Sequence, residues 1–149
     1  MFKSIDRKEV ITVIATNDPA IDRDKSDLDA YARDYDESAL HFLNGEEPTR
    51  FTLGTISYLK FQTMKDKFIS FDIGADGQQQ IKTNLFGLTA EALAFSIRKV
   101  ENAPFEIKTI SGRASDQTMD KLAAIRVVDE LGRIALSLNG FGEADEKKS

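Results

Sequence analysis

The stretch Ser115–Phe141, SDQTMDKLAAIRVVDELGRIALSLNGF, is the longest periodic segment of the chain, and the rest is organised around it. Ala124, Val128, Leu131, Ala135 and Leu138 recur at steps of four, three, four and three, which lines one face of an α-helix. Ser115 or Asp116 is placed to accept a hydrogen bond from the first turn, and Asn139-Gly140 tolerates a left-handed C-terminal turn. The spacing therefore predicts one long amphipathic helix of about 24 residues, ~36 Å in length. Leu122, Ile125, Val127 and Ile134 widen its apolar surface beyond what one neighbouring helix covers. Such a helix sits deep in its own domain or keeps surface for another chain.

Upstream, Phe105, Ile107 and Ile110 alternate with polar residues and predict a short strand or extended segment leading through Ser111-Gly112. Thr89 is the expected cap of a helix carrying Ala92, Phe95 and Ile97 and ending near Val100-Glu101-Asn102, before Pro104. A short helix is expected over 78–86, with Ile81 and Leu85 inward and Gly87 as its breaker. Asp72–Gly77 reads as a turn. Ser57 caps a further helix to about Ser70, in which Phe61, Met64, Phe68 and Phe71 form an aromatic stripe better suited to a core than to a cofactor wall.

Nearer the N-terminus, Ala39–Leu43 and Arg50–Thr55 read as two strands of a hairpin joined across Asn44-Gly45. His41 lies in the first of them without a matched partner, which favours an ordinary strand residue over a base or ligand. The run EVITVIAT is dense in β-branched residues and predicts a strand that Asn17-Asp18-Pro19 ends. Residues 18–37 form an acidic surface segment, with Ser26 or Asp27 capping a short helix through Tyr31. Asp22, Asp24 and Ser26 match the opening ligand positions of a calcium loop, but Asp27 replaces the required glycine and Arg33 the closing glutamate.

A chain of 149 residues, 41% hydrophobic and 30% charged, is most simply one globular domain that buries about two thirds of its unfolded surface. The expected organisation is a single domain over 1–141 with a mobile tail over 142–149, of α+β class, with short N-terminal strands, a hairpin and a predominantly helical C-terminal half. The absence of cysteine excludes disulfides, thiolate metal sites and cysteine nucleophiles. A net charge of −5 opposes general attraction to phosphate backbones or anionic membranes, despite Lys60, Lys65, Lys67 and Lys82. The first residues lack a secretory hydrophobic core, and no apolar run approaches the ~20 residues of a membrane span, so a cytoplasmic protein is expected. No catalytic constellation, metal set or cofactor motif stands out.

The order of features resembles a loose group of small tailed-bacteriophage proteins. The matching elements are Gly45, Glu46, Pro48, Thr49, Phe51 and Leu53 in the predicted hairpin, and Glu130, Gly132, Ile134, Leu136 and Ser137 in the terminal helix. Proteins of this kind are generally virion components or tail-assembly factors, some resembling tail assembly chaperones. The resemblance implies a non-enzymatic role through contacts with other phage structural proteins or with a second copy, in the host cytoplasm during assembly or in the virion. It brings no catalytic residues and no cofactor.

Four functions follow as expectations: a phage assembly factor; a permanent virion subunit at the head–tail junction, tube or capsid surface; a small regulator binding nucleic acid through Lys60, Lys65, Lys67 and Lys82, which the overall charge opposes; and, less favoured than the first two, a small carboxylate-dependent hydrolase. The acids cluster where solvent is expected, without the burial that separates an acid from a base. The residues expected to bind a partner are Phe51, Leu53, Leu131, Ile134 and Leu138. Their competing reading is intramolecular core, since burying one leucine or isoleucine is worth about 1.5–3 kcal/mol to the domain itself.

Overall fold

A three-stranded antiparallel sheet forms from β1 (Val10–Val13), β2 (Arg50–Gly54) and β5 (Ile97–Glu101), in the order β1-β2-β5. The computed structural model of the protein describes residues 10–141. Val13 stands opposite Phe51 and Phe51 opposite Val100, so the apolar members of all three strands share one face. Thr12 and Thr52 face the other way, their hydroxyls 3.3 Å apart. Between Thr52 and Leu53 the register shifts, because Leu53 pairs with Ile97 and Thr52 with Lys99. Arg98 is thus an extra residue in β5, and this bulge lets Ile97 and Val100, three apart, face the same core.

Two helices cover that face: α3 (Leu85–Ser96) and α5 (Val128–Leu138), which form the most extensive helix pair of the fold. They cross so closely at Gly132 that an added Cβ would stand 2.5 Å from the Thr89 carbonyl oxygen. Phe51, Leu53, Leu93, Ile97, Leu122 and Leu131 form the core between helices and sheet. A second cluster joins α2 (Tyr58–Phe68) to the opposite side of the pair through Phe61, Met64, Leu88, Leu136 and Phe141. A third packs α1 (Leu28–Asp34) onto the end of β1 through Ile14, Ile21, Tyr31 and Leu40. Asp27 caps α1 by accepting from Ala30 N, and Ser57 caps α2 by accepting from Lys60 N, as their positions predict. The α+β class is that expected.

The single long helix, however, is two helices. Between α4 (Asp116–Ala124) and α5 the chain turns at Ile125-Arg126-Val127, with Arg126 at φ 61°. Arg126 N donates to Ala123 O at 3.0 Å and Val127 N to Leu122 O at 3.3 Å, the bond pattern of a Schellman cap, and the two end residues Leu122 and Val127 are buried in one cluster. Asn17 Nδ2 donates to the carbonyls of Ile125 and Arg126, which the break releases. The true C-terminal stop follows the same pattern, with Gly140 at φ 86° and Phe141 N donating to Leu136 O. Ser115 caps α4, accepting from Thr118 N.

Other boundaries also differ. The predicted hairpin of 39–43 with 50–55 does not form: β2 is the middle strand between β1 and β5, and of 39–43 only Phe42 makes a bridge, to Ile21, because Leu40 is drawn into the third cluster. Residues 78–86 are not a helix. They contain β4 (Gln79–Thr83), paired with β3 (Ile69–Ile73), the strand that also takes over the end of the predicted 57–70 helix. Asn84, not Thr89, caps α3 by accepting from Gly87 N, so Gly87 lies in the first turn and breaks nothing. The helix then stops at Ser96, whose hydroxyl donates to Gly54 O and fixes the start of β5. In the predicted 105–110 strand only β6 (Thr109–Ile110) pairs, with β7 (Arg113–Ala114). Glu9 and the 142–149 tail lie outside the described residues.

Candidate functional site

The β3–β4 hairpin carries the largest concentration of uncovered apolar side chains on paired elements. Phe71 and Ile73, two apart, share a face, and Phe71 pairs across the ladder with Ile81. They are 66%, 74% and 41% exposed, while Ile69, at the root of the same face, packs against Phe61 and its cluster. The face therefore runs continuously from core to solvent. At its tip, Gly77 adopts φ 81°, with Gly77 N donating to Gly74 O and Gly74 N to Gln78 O. At its base, Asn84 N donates to Phe68 O, and Phe86 in the first turn of α3 is 79% exposed. Two strands alone are marginally stable in water, so this arm depends on its root, where Ile69 joins the Phe61 cluster.

The five residues expected to meet a partner stand elsewhere. Phe51, Leu53, Leu131 and Ile134 are buried in the core, and Leu138 is half-buried against the same cluster. Their apolar area is spent inside the chain, because the sheet face and α5 bury one another. His41 is exposed and takes part through its backbone: its N–H donates to Ser26 Oγ, and its carbonyl accepts from Asp22 N. Asp22 serves the local backbone. Its Oδ1 accepts from the backbone N–H groups of Asp24 and Lys25, which closes a turn. Among the described residues no group of three or more acids or histidines converges as a metal set. No helix among them is long and apolar enough to cross a membrane.

The titratable groups with displaced pKa values serve the scaffold. Arg113 makes two bonds to Glu91, Nε–Oε1 at 2.9 Å and Nη2–Oε2 at 3.1 Å, and these hold the Glu91 carboxyl below its ordinary value. Ser38 N lowers Asp36, and the Lys99 ammonium lowers Glu101. Burial pushes the Tyr31 hydroxyl up to about 12, and its oxygen accepts from Ile14 N at 2.6 Å. Glu130, part of the motif that carries the resemblance, accepts from both the backbone N–H and the hydroxyl of Thr16, tying α5 to the end of β1.

The hairpin face had a signal in the sequence. Ile69, Phe71 and Ile73 alternate, as strand residues do, but Phe71 also completes the helical spacing begun at Phe61. The helical spacing masks the alternation, and the fold follows the alternation. Comparison of the chain with protein-family profiles, with curated proteins and with solved structures finds no match.

Proposed function

We propose that this chain is a non-enzymatic bacteriophage assembly or virion protein that acts by seating the Phe71–Ile73–Ile81 face of its β3–β4 hairpin on another structural protein or on a second copy. The carrying observation is that face itself: a paired, apolar surface on a projecting arm that the described residues leave uncovered. Its free edges offer backbone N–H and carbonyl groups for strand addition, and its side chains offer the apolar contacts that fix register. The resemblance of the Gly45–Leu53 and Glu130–Ser137 elements to small tailed-phage proteins supplies the biological setting.

A transient assembly factor is the first form of the proposal and a permanent subunit the second. Quantitative mass spectrometry of purified particles and of the lysate that produced them separates the two. Abundance in the lysate with absence from particles is the outcome for an assembly factor, and stoichiometric presence in particles that for a subunit. Absence of any particle-forming context would overturn both.

A further inference from the structure

A cleft of about 350 Å³ lies between the start of α2 and the bulge in β5, away from the hairpin face, lined among others by Thr55, Ser57, Lys60, Phe95, Arg98 and Thr109. Its lining contains two cations and no carboxylate, in a chain where Asp and Glu outnumber Lys and Arg by 25 to 20. Arg98 is there because the bulge makes it the extra residue of β5. Its guanidinium donates to the carbonyls of Phe95 and Thr55, which orient the group without neutralising it. Five N–H donors on a guanidinium leave others for a ligand. Lys60 Nζ stands 5.3 Å from the Phe95 ring centre, and Gly112, at φ 78°, leaves it room, since a Cβ there would lie 3.1 Å from Nζ. Among the described residues neither cation makes an ion pair.

We propose that this cleft binds a small organic phosphate, the oxyanion held between Lys60 and Arg98 and the organic portion against Phe95. The guanidinium, preoriented by two carbonyls, suits phosphate oxygens, and the ammonium adds a point charge. The Thr109 and Ser57 hydroxyls are neutral donors at the rim, and the Phe95 ring supplies apolar area beside the charges. The volume of about 350 Å³ suits a small molecule.

The test is a titration of the full chain with inorganic phosphate, phenyl phosphate and acetate at constant ionic strength, followed by amide NMR shifts. Phosphate is expected to saturate the Thr55, Ser57, Lys60 and Gly112 amides with a Kd on the order of 1 mM, and phenyl phosphate to bind about tenfold tighter. Lys60→Gln, an exposed substitution that removes the charge and keeps a polar side chain, is expected to weaken both about tenfold, while Lys121→Gln on α4 leaves them unchanged. A matching spectrum away from the cleft confirms that Lys60→Gln is folded. Shifts that fail to saturate, that persist in Lys60→Gln, or that acetate reproduces with equal affinity would overturn the assignment.

Discussion

Replacing Gly132 with alanine puts a methyl where α3 and α5 leave no space. The added Cβ would stand 2.4 Å from Thr89 Cγ2, 2.5 Å from the Thr89 carbonyl oxygen and 3.1 Å from its carbonyl carbon. Optimal carbon contacts lie near ~3.5–4.0 Å, so the helices must part by roughly 1 Å at their closest point. Rotating Thr89 relieves only the first of these contacts, because the oxygen belongs to the main chain. Overpacking of this kind costs about 1–3 kcal/mol, and a backbone obstacle puts it at the upper end. Alanine in a helix interior returns about 1 kcal/mol relative to glycine. The expected net loss is about 2 kcal/mol, which for a chain of this length lowers Tm by about 4–8 °C. Urea unfolding followed by far-ultraviolet circular dichroism should show a lower midpoint with an unchanged slope. Adding Thr89→Ser, which removes Cγ2 and keeps the hydroxyl that donates to Leu85 O, should recover only part of the loss. An unchanged or raised midpoint in Gly132→Ala would refute the claim that main chain meets main chain at this crossing.

Arg126→Gly should raise stability by about 0.5–1 kcal/mol, since relief of a left-handed non-glycine residue exceeds the entropy glycine adds to the unfolded chain; a fall in the urea midpoint would deny the cap geometry. Tyr31→Phe leaves the buried Ile14 N–H without its acceptor and should cost about 1–3 kcal/mol. The Tyr31 hydroxyl is raised from 10.0 to about 12, so the neutral form is favoured in the fold and its stabilisation is complete below pH 10. Wild type should lose stability between pH 10 and about 12 more steeply than Tyr31→Phe, as read by urea midpoints across that range. The Glu91 carboxyl is held below its ordinary 4.5 by Arg113, so its contribution is present above that value and lost as pH falls through the folded pKa. Glu91→Gln should therefore show a shallower acid limb than wild type.

Much of the scaffold was legible because local chemistry and tertiary packing agreed. Ser57, Asp27 and Ser115 cap the helices their positions predict, and the Asn139-Gly140 stop is where the residue types place it. The break at Arg126 was not legible, because the left-handed residue is neither glycine nor asparagine and the apolar spacing continues through it. What holds it is tertiary: Leu122 and Val127 are buried in one cluster, and Asn17 satisfies the two released carbonyls. The strand β5 hid behind a helical pattern for a similar reason, since the bulge at Arg98 disturbs the alternation that would have announced it. The same disturbance brings Arg98 to the cleft. The expected partner residues were apolar and well patterned, which is also what a core requires, and the core is where Phe51, Leu53, Leu131 and Ile134 reside. Exposure is a tertiary property, and the hairpin face emerged only with the pairing of β3 and β4.

The central proposal, that the hairpin face makes the functional contact, is tested most directly by Phe71→Thr with Ile73→Thr in cells where the variant replaces the wild type. Threonine keeps β-propensity while removing the apolar surface, and substitutions at these exposed sites should alter stability by no more than ~0.5 kcal/mol. If a partner buries both residues, their loss removes about 3 kcal/mol or more of contact, on the order of 100-fold in affinity. The account predicts a protein with wild-type Tm and a collapse in the yield of assembled particles. A folded double variant that supports full particle yield would contradict it.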